Sequence, residues 1–130
     1  MRLWHQNLID KLPRQQLLGQ HRECCALRGK GWGKKHATVD YVFKYDPSRL
    51  VAYHFKVMAE MKDRGYSPAQ EWIDDSYRGK TLGYDNSFCT LDPSEHFTKH
   101  TIYPEHNDRY LQDCISNLSE KGVVCKYMDT

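Results

Sequence analysis

The chain has 130 residues, 39% of them hydrophobic and 28% charged, with a formal net charge of +2. That length suits one soluble domain, 1–130, with a small core, and no apolar run approaches the roughly 20 residues that a membrane-spanning helix needs. The start, MRLWHQNLIDKL, lacks the apolar region and cleavage site of a signal peptide, so the cytoplasm is the expected compartment. The small net charge hides a polar molecule. Residues 1–36 hold eight Lys/Arg against Asp10 and Glu23, net +6, and the remainder is net −4. Clustered positive charge of this kind is the footprint of phosphate-backbone binding, although a solvated basic face has the same composition. The five cysteines, an odd count without a secretion signal, are read as reduced thiols.

In chain order, Pro13 opens a predicted helix over 13–28. At 100° per residue, Leu17, Leu18, His21, Cys24 and Cys25 share one arc, which is expected to face the core. Gln15, Gly19, Arg22, Glu23 and Ala26 fall on the opposite arc, where two small residues let another backbone come close. The loop GKGWGKK at 29–35 is basic and glycine-rich. Its amides are expected to approach phosphates and Trp32 to stack on a base, although its spacing matches neither a Walker loop nor a dinucleotide fingerprint. A second helix is predicted over 47–64, opened by Asp46-Pro47 and closed by Gly65. Ser67-Pro68-Ala69-Gln70 reads as the cap of a short helix through Trp72, Ile73 and Tyr77. Residues 78–101 read as irregular, and a last helix is predicted over 105–121. The expected class is mainly α, a single compact domain of three principal helices with long irregular connections.

Two groups carry candidate chemistry. Glu23 is a lone carboxylate in a basic field, suited to handling protons or a cationic sugar; its structural alternative is a salt-bridged surface glutamate. The second is the α-amine at Met1. An N-terminal amine has a pKa near 7.7–8.0, so a useful fraction is neutral and able to form a Schiff base. Cys89, His96, His100 and His106 lack any zinc motif, and no metal or cofactor is expected.

The stretch Gln15-Gln16-Leu17-Leu18-Gly19-Gln20-His21-Arg22-Glu23 resembles the first-helix signature of the phage-type pyrimidine-dimer DNA glycosylases, also called endonuclease V. The likeness continues through Lys34-Lys35-His36, Lys62-Asp63-Arg64-Gly65-Tyr66 and Ile102-Tyr103-Pro104-Glu105-His106. The resemblance implies a mostly helical, metal-free glycosylase with apurinic-site lyase activity, whose N-terminal amine is the nucleophile. By position, Glu23 matches the catalytic glutamate, Arg22 the adjacent DNA-binding arginine, Gln15 a polar contact and His36 a histidine near the site. Removal of Met before the bulky Arg2 is not expected, so the amine falls on Met1 and Arg2 follows it as a basic residue. Ala26 stands where the phage enzymes have a further arginine, and the C-terminus lacks their fuller aromatic run. Arg28, Lys30, Lys34 and Lys35 complete the expected DNA grip. The expected partner is double-stranded DNA with a lesion or abasic site, bound by a monomer. Two alternatives stay open: a non-catalytic nucleic-acid-binding module of the same fold, and a glycosylase for another base lesion.

Overall fold

The structure is a computed structural model that describes residues 3–32, 40–93 and 102–120. Within them the chain is mainly helical. Helix α1 spans Arg14–Arg28, α2 Pro47–Asp63 and α3 Asp108–Glu120, joined by 3-10 turns at Gln6–Lys11, Asp40–Lys44 and Gln70–Ile73. No strand occurs among the described residues, only one antiparallel bridge between Tyr77 and Tyr84.

The helix ends follow local chemistry. Pro47 sits at the start of α2, where a missing N–H costs nothing, and the Asp46 carboxylate accepts from the Ser48 amide at 2.9 Å. Gly65, at φ 92°, supplies the left-handed residue just beyond α2. Asn107 caps α3, its side chain accepting from the Tyr110 amide and its carbonyl from Leu111. The helix predicted through Tyr77 shrinks to the Gln70–Ile73 turn. Asp74 ends it in extended backbone and uses its carboxylate on the Ser76 amide and hydroxyl, an Asx turn that competes with helix.

Helices α1 and α2 pack on each other, and α3 adds Leu111, Cys114, Ile115 and Leu118 at the i, i+3, i+4, i+7 spacing of an apolar stripe. The core joins these to Leu17, Cys24 and Leu27 of α1 and Leu50, Tyr53, Val57 and Met61 of α2. Leu3, Trp4, Leu8, Ile9 and Leu12, ahead of α1, belong to the same core. Each fully buried Leu contributes about 1.5–3 kcal/mol, so residues 3–12 are anchored in the core alongside the helices. Arg64, at the end of α2, clamps them from outside by donating to the carbonyls of Leu12 and Asp10 while pairing with Glu60.

The core-facing arc of α1 is rotated from the sequence expectation. Its buried residues are Leu17, Gln20, Glu23, Cys24, Leu27 and Arg28, whereas Leu18, His21 and Cys25 are half-buried. Periodicity assigns polar side chains outward; here three of them point inward, and each matters below.

Candidate active site

Helix α1 presents two buried flanks and one open strip. On the first flank, Gln20 is 3% exposed and its Oε1 accepts from the Trp4 amide at 2.7 Å and from the Tyr53 hydroxyl at 3.0 Å. Tyr53 lies within donating distance of the Trp4 carbonyl as well, and the Tyr110 hydroxyl donates to the carbonyl of Leu3. Two residues past Trp4, His106 Nδ1 accepts from the Gln6 amide at 3.2 Å and its Nε2 lies 2.6 Å from the Tyr41 hydroxyl. The backbone of residues 3–6 is therefore fastened to α1, α2 and α3 at once. Burial and the neighbouring His5 push the His106 pKa down to about 3, so this ring is a neutral structural link.

Glu23 follows Gln20 by three residues, the spacing that makes side chains neighbours on a helix. It is 6% exposed, which corrects the expectation that it projects away from the core arc. No hydrogen bond or ion pair reaches its carboxylate among the described residues. A buried carboxylate normally has partners, because desolvation disfavours the naked charge. Glu23 thus sits at the edge of the core, one helical turn from the Gln20 side chain that fastens Trp4.

The second flank is satisfied except at Arg28 Nε, which has no partner among the described residues. Arg28 is 0% exposed, and its guanidinium donates to the carbonyls of Trp72 at 2.8 Å, Asp74 at 2.6 Å and Tyr77 at 2.9 Å. It also donates to His54 Nδ1 at 3.1 Å and lies over the Trp72 ring. The expectation that Arg28 grips DNA is corrected: the last residue of α1 turns inward and ties the helix to the 72–77 segment. The glycine loop changes meaning too. A Cβ on Gly29 would meet the Arg78 carbonyl at 2.9 Å, and one on Gly31 the Ala26 carbonyl at 2.6 Å. Both amides are already donated within the turn that ends α1, to Cys25 and Ala26. These glycines permit close backbone packing rather than cradling a phosphate. Trp32 is wedged edge-on against Phe43 and Phe88, which takes it out of the base-stacking role expected of it.

The open strip carries Gln15, Gly19, Arg22 and Ala26, with Lys30 exposed beyond it. Among the described residues a Cβ at Gly19 would meet only the Arg22 guanidinium, at 3.7 Å, so none of them requires glycine there. The candidates Met1, Arg2, Lys34, Lys35 and His36 lie outside the described residues. A polar groove of about 450 Å³ between the Gln6–Lys11 turn and α2 is lined by Asn7, Lys56 and Glu60 among others, and none of the predicted site residues borders it. Sequence reasoning missed Gln20, Tyr53, Tyr110 and His106. A polar residue on a predicted core arc, as Gln20 would be after a modest rotation, is the one signal that could have found the first of them.

Residues 1–74 match the family model described as pyrimidine dimer DNA glycosylase. No curated protein and no solved structure matches the chain.

Proposed function

The chain belongs to the pyrimidine dimer DNA glycosylase family, and on that premise we propose that it is a bifunctional glycosylase and apurinic-site lyase in which Met1 supplies the nucleophilic amine and Glu23 the catalytic carboxylate. The observation that carries the reading is the burial of Glu23 one helical turn from Gln20, which fastens Trp4. An extended chain covers at most ~3.3–3.6 Å per residue, so an amine two residues ahead of Leu3 has a short reach from the Trp4–Gln20 anchor, which supports pairing it with Glu23 one helical turn further along α1.

DNA docks on the open strip. Gln15 and Arg22 take the backbone, Gly19 and Ala26 let it come close, and Lys30 extends the contact with Arg2, Lys34, Lys35 and His36. A kinked duplex flips a nucleotide out to expose the damaged sugar. The neutral amine attacks C1′, the C1′–N bond breaks with its electron pair leaving on the base, and sugar ring opening gives an iminium. Glu23 stabilises the cationic sugar and takes the C2′ proton, and the C3′–O bond breaks with the 3′ phosphate as leaving group. Water then hydrolyses the imine and restores the amine. Positioned acid–base groups contribute typically ~10²–10⁴-fold, so Glu23→Gln should retain DNA binding and lose cleavage of a dimer-containing duplex by about that factor. Equal cleavage by wild type and Glu23→Gln would remove Glu23 from the chemistry, and cleavage by neither would favour the non-catalytic binding module.

A further inference from the structure

The second flank of α1 brings together three side chains that the repair chemistry does not use. His21 and Cys25 are one helical turn apart on α1, and His54 comes from α2. His54 Nε2 lies 2.8 Å from His21 Nδ1, and Cys25 Sγ lies 3.8 Å from His54 Nε2 and 3.7 Å from His21 Nε2. One ligand atom from each residue falls within 4.8 Å of the others. We propose that His21, Cys25 and His54 form a site for a single borderline-soft divalent ion, with Zn²⁺ as the natural occupant, whose fourth position is left to water.

The geometry is close to what such an ion needs. Zn–N and Zn–S bonds of ~2.0 and ~2.3 Å place tetrahedral ligand atoms about 3.3–3.6 Å apart. A single ion takes one nitrogen of His21, and from ligand atoms that all lie within 4.8 Å of one another, side-chain shifts of about an ångström meet that requirement. Two imidazoles and one sulfur suit zinc and not magnesium or calcium, which take oxygen ligands. His54 is fully buried, whereas His21 and Cys25 are half-buried, so an entry path exists from the His21 side. Burial lowers both histidine pKa values, assisted by the positive charges of Arg22 and Arg28 on His21 and of Arg28 on His54. The rings are therefore neutral at pH 7, as ligands must be.

Arg28 sets the strength of the site. A guanidinium can only donate, so in the ion-free protein His54 accepts at Nδ1 and carries its proton on Nε2, which donates to His21 Nδ1. Binding through His54 Nε2 moves that proton to Nδ1 and ends the Arg28–His54 hydrogen bond. Arg28 keeps its three carbonyl partners. The Cys25 thiol, pushed up to about 11 by burial, gives its proton to water, so one proton leaves per ion. A zinc-bound histidine is ordinarily supported by an acceptor at its other nitrogen. Here that place faces a donor, so the site fills and empties reversibly instead of locking the ion in. Occupied, it staples the helix that bears Glu23 and Arg22 to α2.

The test uses the reduced full-length chain without DNA, so its outcome is separate from that of the glycosylase reading. Equilibrium dialysis with Zn²⁺ should give one ion per chain, Co²⁺ should show a thiolate-to-metal charge-transfer band, and Zn²⁺ should raise Tm by linkage. Cys25→Ser and His21→Asn, at half-buried positions where the fold can be checked by circular dichroism, should each weaken binding by more than the ~10–100-fold that loss of an outer partner costs. Cys89→Ser should leave binding intact. Absence of stoichiometric binding and of the cobalt–thiolate band, or binding that survives both Cys25→Ser and His21→Asn, would overturn the proposal.

Discussion

The two flanks of α1 treat buried charge in opposite ways. Arg28 is enclosed and every direction of its guanidinium save Nε is answered, by three carbonyls and one imidazole. Glu23 is nearly as enclosed and meets no partner among the described residues. Burying an ion costs several kcal/mol that only partners restore. A satisfied buried charge therefore explains itself as structure. A carboxylate buried at the edge of the core, with no partner among the described residues, is not explained by them in that way. The comparison separates an architectural cation from a candidate catalytic anion on the same helix, five residues apart.

The sharpest way to break this contrast is Arg28→Ala. It strands three buried carbonyls and His54, so stability should fall by about 3–5 kcal/mol, measured as the urea midpoint at constant m. A loss below about 1 kcal/mol would mean that the second flank is not architectural. Acid titration sharpens the other flank. The His106 pKa is lowered to about 3 from 6.5, so the unfolded chain binds a proton that the folded chain refuses. Stability is fully present above pH 6.5 and is lost as pH falls toward 3, at about 1.4 kcal/mol per pH unit from this group. His54 is shifted the same way and adds to the slope. Urea midpoints between pH 7 and 5 should show the loss, and His106→Asn, which keeps an acceptor for the Gln6 amide, should reduce it.

Glu23→Gln should move stability little, within about 1 kcal/mol, because no described group depends on its charge. A residue kept for chemistry behaves this way; a loss of several kcal/mol would make Glu23 part of the architecture like Arg28. The smallest expected effect is at Gly19→Ala, where the space is open. Helix propensity and a less flexible unfolded chain should stabilise the variant by about 0.4–1 kcal/mol. DNA affinity should fall at the same time if the open strip receives the backbone. A stabilised variant with unchanged affinity would move the DNA off that strip.

Much of the fold is legible in the sequence because caps and periodicity are local. Asp46-Pro47 and Gly65 bracket α2 almost to the residue, and the stripe Leu111, Cys114, Ile115, Leu118 announces α3. The rotation of α1 is not legible, because Gln20 and Arg28 find their partners in segments 16 to 49 positions away. The same long range hides the anchors of residues 3–6, since Tyr53, His106 and Tyr110 read as ordinary core aromatics until Leu3, Trp4 and Gln6 lie beside them. Arg28 was misread for a related reason. It belongs by composition to the basic loop that follows, and only the carbonyls of 72–77 show why it turns inward. Gln15 and Arg22 keep the exposure their helical positions imply.

The central claim, that an amine at the start of the chain acts with Glu23, is tested most directly by borohydride trapping on an abasic-site duplex at neutral pH and low salt, with the adduct mapped by peptide sequencing. A covalent adduct on Met1 is predicted, with Met1 retained and unblocked by intact mass, and with trapping abolished by an N-terminal extension that leaves DNA affinity nearly unchanged. An adduct on a lysine side chain, equal trapping by the extended protein, or no adduct at all would contradict it.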